Sequence, residues 1–176
     1  AELWTGVPFL AHIHTTPYWR AQRLLIKQCH QVVCNSKATA NDLAHLSPRL
    51  SRSAHIMYPP LKSSRNNTIV QREPYFTALG GAPNKNLDMV LRAFAAFRSS
   101  YPAFTLLILG DLSEEEKIMV ANIAGITCES MHRYSHHLSR TAALVFCSRY
   151  EGLGLPPVEA MAYGCPLQIG RAWCRE

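Results

Sequence analysis

The sequence has no apolar run near the roughly 20 residues that a membrane-spanning helix requires. Its start, AELWTGVPFL, lacks a basic region leading into a long hydrophobic stretch, so no secretory leader is read and a cytoplasmic protein is expected. The six cysteines (Cys29, Cys34, Cys128, Cys147, Cys165, Cys174) contain no C-x-x-C pair and have no close His partners at zinc spacing. Reduced, mostly buried thiols are the expectation, because free Cys behaves as a small hydrophobe. The net charge is +6, but Arg20, Arg23, Lys27, Lys37, Arg49, Arg52, Lys62 and Arg65 are dispersed rather than clustered with aromatics. This argues against a nucleic-acid partner and for a solvated basic face that can attract an anionic ligand or a membrane surface carrying lipid phosphates. No internal repeat or low-complexity segment is present. Asn66-Asn67-Thr68 matches a glycosylation sequon, a chance match in a cytoplasmic chain.

What is present is the composition of a packed globular protein, 48% hydrophobic and 17% charged over 176 residues. That length suits about one domain and leaves little room for two complete nucleotide-binding domains. Short apolar runs alternate with helical patterns from end to end, which implies strand-helix-strand units around a parallel sheet. Residues 8–14 read as a strand, 18–30 as a helix, 31–34 as a strand, and Ser36 as the cap of a helix over 37–46. A strand at 55–58 stops at Pro59-Pro60, and the polar, aperiodic stretch after it is the best boundary. The chain therefore divides into 1–60, a linker at 61–73, a second domain at 74–169 and a divergent tail at 170–176.

In the second domain a strand at 75–79 runs into Gly80-Gly81-Ala82-Pro83-Asn84-Lys85-Asn86. A helix follows in which Leu87, Val90, Leu91, Phe94 and Phe97 repeat at helical spacing. An apolar strand at 104–109 ends at Gly110-Asp111, and Ser113 with Glu116 forms a capping box. A buried strand at 142–147, a helix opened by Pro156-Pro157 and closed by Gly164, and a strand at 167–169 complete the reading.

The stretch from Ser148 to Pro166 carries the chemistry. Gly152 and Gly154 after a buried strand let backbone amides turn toward a ligand. A helix beginning at Pro156 or Pro157 would aim its unpaired amides and positive dipole end at the same place, favouring an anion. Glu151 at the strand end and Glu159, expected in the first helical turn, border one crevice at the carboxyl edge of the sheet. Such carboxylates suit sugar and ribose hydroxyls. The dipole alone also favours a Glu in a first turn, and a glycine turn after a strand is ordinary.

Glu151, seven intervening residues and Glu159 around a glycine loop resemble the signature of the family-four retaining glycosyltransferases. The resemblance extends through Gly80-Gly81, Lys85-Asn86, the strand ending at Gly110, Asn35-Ser36 and Tyr58-Pro59-Pro60. It implies a GT-B type α/β fold, with a partial Rossmann-like acceptor-side domain before most of a Rossmann-like donor domain. It implies a hexosyltransferase of polysaccharide biosynthesis. Such an enzyme moves a sugar from a nucleotide-diphospho-sugar donor to a saccharide or lipid-linked acceptor with retention, needing no cofactor and no metal. No D-x-D motif is present, and the acidic run Glu114-Glu115-Glu116 is what a helix start requires.

Under the resemblance, Lys85 contacts the donor diphosphate, with Gly80, Gly81 and Asn86 on the same loop. Gly152, Leu153, Gly154 and Leu155 hold phosphate and sugar, Glu159 the ribose and Glu151 the transferred sugar. His14 takes the cleft position where family members often carry a His, and His12 can fill it instead. Asn84 departs from the pattern, since many relatives place an Arg before the Lys. The tail departs as well, and relatives' first strands have no counterpart here. A piece of a longer protein is therefore expected, peripheral at a membrane or free, and inactive alone. A nucleotide-sugar epimerase or sugar phosphorylase of the same fold, or a non-catalytic remnant that binds nucleotide weakly, are the alternatives.

Overall fold

The computed structural model describes residues 25–26, 28–45, 47–61 and 71–170. The expected strand at 8–14, with His12 and His14, lies outside the described residues, as does nearly all of the tail. Of the expected helix at 18–30, Leu25, Ile26 and Gln28 are helical, and the chain has left the helix at Cys29. The described residues form two compact units. One holds those up to Pro60 together with Tyr150–Gly154; the other holds those of Leu61–Arg149 and residues 155–170.

In the first unit, strands β1 (Val33–Cys34) and β2 (His55–Ile56) pair in parallel, Val33 opposite His55. Both are shorter than expected, and Pro59 and Pro60 lack the N–H groups that further pairing would need. Ser36 caps helix α1 (Lys37–Ala44), its hydroxyl accepting from the Thr39 amide at 3.0 Å. Helix α2 (Pro48–Arg52) was not expected, although Ser47 caps it and Pro48 opens it. Ile26, Cys34, Ala40, Leu43 and Leu50 form the small core of this unit.

The second unit is a five-stranded parallel sheet in the order β5-β4-β3-β6-β7. Its strands are β3 (Glu73–Leu79), β4 (Thr105–Leu109), β5 (Ile126–Glu129), β6 (Thr141–Phe146) and β7 (Leu167–Ile169). Its helices are α3 (Leu87–Ser100), α4 (Glu114–Ala121), α5 (Tyr134–Arg140) and α6 (Leu155–Ala162). A parallel sheet must be covered on both faces, and β4 shows the division. Leu106 and Ile108 pack with Ala78 against Leu87, Val90, Leu91 and Phe94 of α3, whereas Leu107 and Leu109 join Leu79 in a separate cluster touching Tyr134. The helical spacing read from Leu87 to Phe94 is thus the buried stripe of α3. Phe97, half-buried, meets the Phe76 ring edge-on at 5.2 Å. The capping box at α4 is present as expected.

Two elements of the second unit escaped the sequence reading. Strand β5 is a sheet edge with mostly exposed residues, so it carries no apolar period. Helix α5 is polar apart from Leu138, and it is anchored by His137, whose ring nitrogens lie 3.1 Å from Glu129 Oε2 and 3.3 Å from the Tyr75 hydroxyl. Only part of the cysteine expectation holds. Cys34 and Cys165 are buried and Cys147 half-buried, but Cys29 and Cys128 are exposed, Cys128 because it lies on that edge strand.

The loop after β3 depends on Gly81. Its φ is +83°, and a Cβ there would sit 2.5 Å from the Asp111 carbonyl oxygen, which is backbone and cannot swing aside. Gly81→Ala is expected to cost about 2 kcal/mol, combining left-handed strain with that clash. The midpoint of urea unfolding, compared with Ala82→Gly as a neighbouring control, checks this.

Candidate functional site

The chain runs β3 to β4 to β5 toward one edge of the sheet and β6 to β7 toward the other. Adjacent strands β3 and β6 therefore mark the point where the connections diverge, which is where open parallel sheets bind ligands beyond their carboxyl ends. The two loops that carry the sequence-predicted residues begin there.

After β3, Gly80 and Gly81 lead into a tight 3-10 turn over Pro83–Lys85, closed by Asn86 in the left-handed conformation with φ 56°. Asn tolerates this geometry better than other side chains do. The Asn86 side chain then locks the turn to the end of β6. Its Nδ2 donates to the Cys147 carbonyl at 3.2 Å, and its Oδ1 accepts from Arg149 Nε at 3.1 Å. The Arg149 amide donates to the Asn84 carbonyl at 2.7 Å. Lys85 Nζ stands 5.8 Å from the centre of the buried Phe146 ring, so its ammonium sits at the carboxyl end of β6 as well as β3.

Helix α6 begins at Leu155, one or two residues earlier than expected. Pro156 and Pro157 thereby become the second and third helical positions, and neither has an N–H. Of the first three positions only Leu155 can offer an amide to an anion, fewer donors than an ordinary helix start. The same shift moves Glu159 out of the first turn, which holds no acidic residue. The dipole argument for a Glu there consequently does not apply.

What holds Glu159 is burial and Tyr134. Burial raises the Glu159 pKa from its ordinary value, and the hydrogen bond from Tyr134 opposes that rise. Burial, followed by the Glu159 charge, drives the Tyr134 phenol far above its ordinary value. The same hydroxyl lies 3.3 Å from the Pro156 carbonyl oxygen, and with one proton it can satisfy only one of the two acceptors at a time. Tyr134 opens α5, the helix that sequence reasoning missed; its position shortly before β6 gave no periodic signal.

In the first unit, the residues Tyr150–Gly154 pack on α1 and its cap. The Ser36 hydroxyl donates to the Gly152 carbonyl and the Tyr150 hydroxyl to Asp42 Oδ2. A Cβ on Gly152 would lie 3.0 Å from Thr39 Oγ1 and 3.5 Å from Asn35 Oδ1. A side chain at this position would therefore crowd Thr39 and Asn35. Glu151, Leu153 and Gly154 belong to the same unit, with Gly154 buried and Glu151 half-buried. Among the described residues, no group of three His, Cys, Asp or Glu side chains is placed to hold a metal ion. Among them also, no helix is long and apolar enough to cross a membrane.

A family profile described as glycosyl transferases group 1 matches residues 62–169. Among curated proteins, the chain is 23% identical over 157 residues to the O-antigen chain mannosyltransferase RfbU of Salmonella typhimurium. That alignment covers 84% of this chain but 44% of RfbU, so the chain spans under half the length of the curated relative it matches. Among solved structures it is similar to a point mutant of S. aureus TarM crystallised with UDP, Fondaparinux and alpha-GlcNAc-glycerol. The TM-score is 0.71 at 16% identity, covering 89% of this chain and 34% of TarM. WaaG, a glycosyltransferase involved in lipopolysaccharide biosynthesis, gives a TM-score of 0.70 at 14% identity over 91% of this chain and 50% of WaaG. The pneumococcal O-GlcNAc transferase GtfA, bound to UDP and GlcNAc, gives 0.68 at 18% identity over 88% and 32%. These likenesses show the fold, an α/β architecture of GT-B type with parallel sheet flanked by helices.

Proposed function

We propose, because the chain belongs to the glycosyl transferases group 1 family, that it forms the nucleotide-sugar side of an enzyme that transfers a sugar with retained anomeric configuration and without a metal. The acceptor is a saccharide or a lipid-linked saccharide, in keeping with the O-antigen and lipopolysaccharide roles of RfbU and WaaG. The reaction takes place in the cytoplasm, and the dispersed basic residues favour the anionic inner face of a membrane.

The observation that carries this reading is a lysine-bearing turn after β3 tied to the end of neighbouring β6, with a half-buried carboxylate on α6, the helix that follows. An ammonium at Lys85 stabilises charge growing on a leaving diphosphate, aided by the Leu155 amide and the positive end of α6. The Glu159 carboxylate accepts hydrogen bonds from ribose hydroxyls. Gly80, Gly81 and Asn86 shape the phosphate turn, Gly152 to Leu155 complete the donor loop, and Glu151 takes the transferred sugar. His14 is proposed as a donor- or acceptor-side contact.

Because the chain spans 44% of RfbU, binding is a sounder test than turnover. Calorimetric titration with uridine, guanosine and adenosine diphosphates is expected to reveal one base that binds in the micromolar range, a binding that Lys85→Ala and Glu159→Ala each weaken by about tenfold or more. Failure of all three nucleotides to bind would sink the reading.

A further inference from the structure

If the reading above holds, the donor brings a diphosphate with at least two negative charges to the turn after β3, and that turn itself offers a single cation, Lys85. The residue before it, Asn84, is neutral. We propose that Arg149 supplies the second cation, its guanidinium binding the donor diphosphate from the end of β6. This inference rests on the nucleotide-sugar reading and adds a residue to which that reading gives no role.

Arg149 is built into the turn rather than hung beside it. Its amide donates to the Asn84 carbonyl at 2.7 Å and its Nε to Asn86 Oδ1 at 3.1 Å, while Asn86 is itself tied to the Cys147 carbonyl at 3.2 Å. A guanidinium has five N–H groups, and anchoring through Nε leaves the two terminal nitrogens with four. They make no ion pair among the described residues, and the side chain is exposed. A fixed planar fork of this kind matches two phosphate oxygens at once, which an ammonium cannot do.

Arg149 and Asn86 line one open cavity of about 710 Å³ with Gly81, Asp88, Glu114, Glu115 and Glu116. That cavity does not become a carboxylate trap for the guanidinium, because most of its acids are already engaged. Asp88 pairs with Arg92 and Glu114 with Lys117, and Glu116 accepts from the Gly81 and Ser113 amides. Glu115 is the remaining carboxylate. The cation is consequently held in place and left available.

The test titrates uridine, guanosine and adenosine diphosphates, and the corresponding nucleosides, into the whole chain and into Arg149→Met, Arg149→Gln, Arg149→Lys and Lys85→Ala. For the diphosphate that binds, Arg149→Met and Arg149→Gln are expected to weaken affinity about tenfold. Nucleoside binding should change less than about twofold, and Arg149→Lys should recover part of the loss because it keeps the charge without the fork. Diphosphate affinity unchanged in both neutral variants, alongside a loss in Lys85→Ala, would overturn the role of Arg149 and leave the nucleotide-sugar reading standing. Equal losses for nucleoside and diphosphate would overturn it too, by showing that Arg149 only supports the turn. No diphosphate binding by the wild-type chain would overturn both. If Arg149→Met does not fold, Arg149→Gln, which keeps a polar N–H toward Asn86, carries the comparison.

Discussion

Glu159→Gln is expected to weaken nucleoside diphosphate binding by about 10- to 100-fold while making the unbound protein no less stable at neutral pH. On the ribose role proposed for Glu159, the loss follows from replacing an ionised acceptor of ribose hydroxyls with a neutral amide, since hydrogen bonds to a charged group contribute about 1.5–3 kcal/mol. The stability effect has the opposite sign because burial raises the Glu159 pKa from its ordinary 4.5. A carboxyl whose folded pKa is raised favours the fold while protonated. That contribution is complete below the unfolded value and is lost as pH rises through the folded one. Gln mimics the protonated form at every pH. The melting temperature of Glu159→Gln relative to wild type should accordingly rise as pH climbs past the ordinary carboxyl value and level off once pH exceeds the raised folded one. Melting curves at five or six pH values decide the matter; a difference independent of pH would remove the desolvation argument. Tyr134→Phe should weaken the same binding severalfold, and combined with Glu159→Gln it should add little, because the phenol acts through that carboxylate.

The second large effect concerns stability. Arg72→Met is expected to cost about 3 kcal/mol, lowering the melting temperature by about 10 °C in a chain of this size. Arg72 Nη1 donates to the Leu138 carbonyl at 3.2 Å and the Thr141 carbonyl at 2.8 Å, and Nη2 to the Gly164 carbonyl at 2.5 Å. Those acceptors belong to the end of α5, the start of β6 and the turn that closes α6. One guanidinium thus joins three consecutive elements whose carbonyls have no helical partner. Arg72→Lys, with one point charge for three acceptors, should fall between the two. A melting temperature for Arg72→Met within about 2 °C of wild type would show that water replaces the clamp at little cost.

Arg72 also shows why part of the fold was not legible. It lies next to the end of the polar, aperiodic stretch read as linker, and nothing in a sequence pattern reports that a long side chain reaches residues 66 to 92 positions away. Elements with an apolar period were readable. The stripe of α3, the apolar run Leu106–Leu109 of β4 and the Ser113–Glu116 capping box all stood where the pattern put them. Polar α5 and edge strand β5 carried no period, so Tyr134, the partner of Glu159, went unseen with them. In the signature stretch the residue types were legible but their backbone was not. Two prolines read as a helix start are in fact its second and third positions, and Gly152 makes room for Thr39.

The order of strands has a kinetic side. Residues 71–129 supply β3, β4 and β5 with one helix between each pair, so that half of the sheet can zip up from neighbours close in sequence. Strand β6 must instead return past two finished strands to lie beside β3, pairing Phe76 with Ala143 and Thr77 with Leu144. Closing that long loop is the entropically expensive step. The turn that carries Lys85 and the loop that carries Arg149 are therefore joined only when β6 pairs with β3. A nucleotide that binds there draws the folding equilibrium toward the completed sheet by mass action, and occupancy and foldedness rise together.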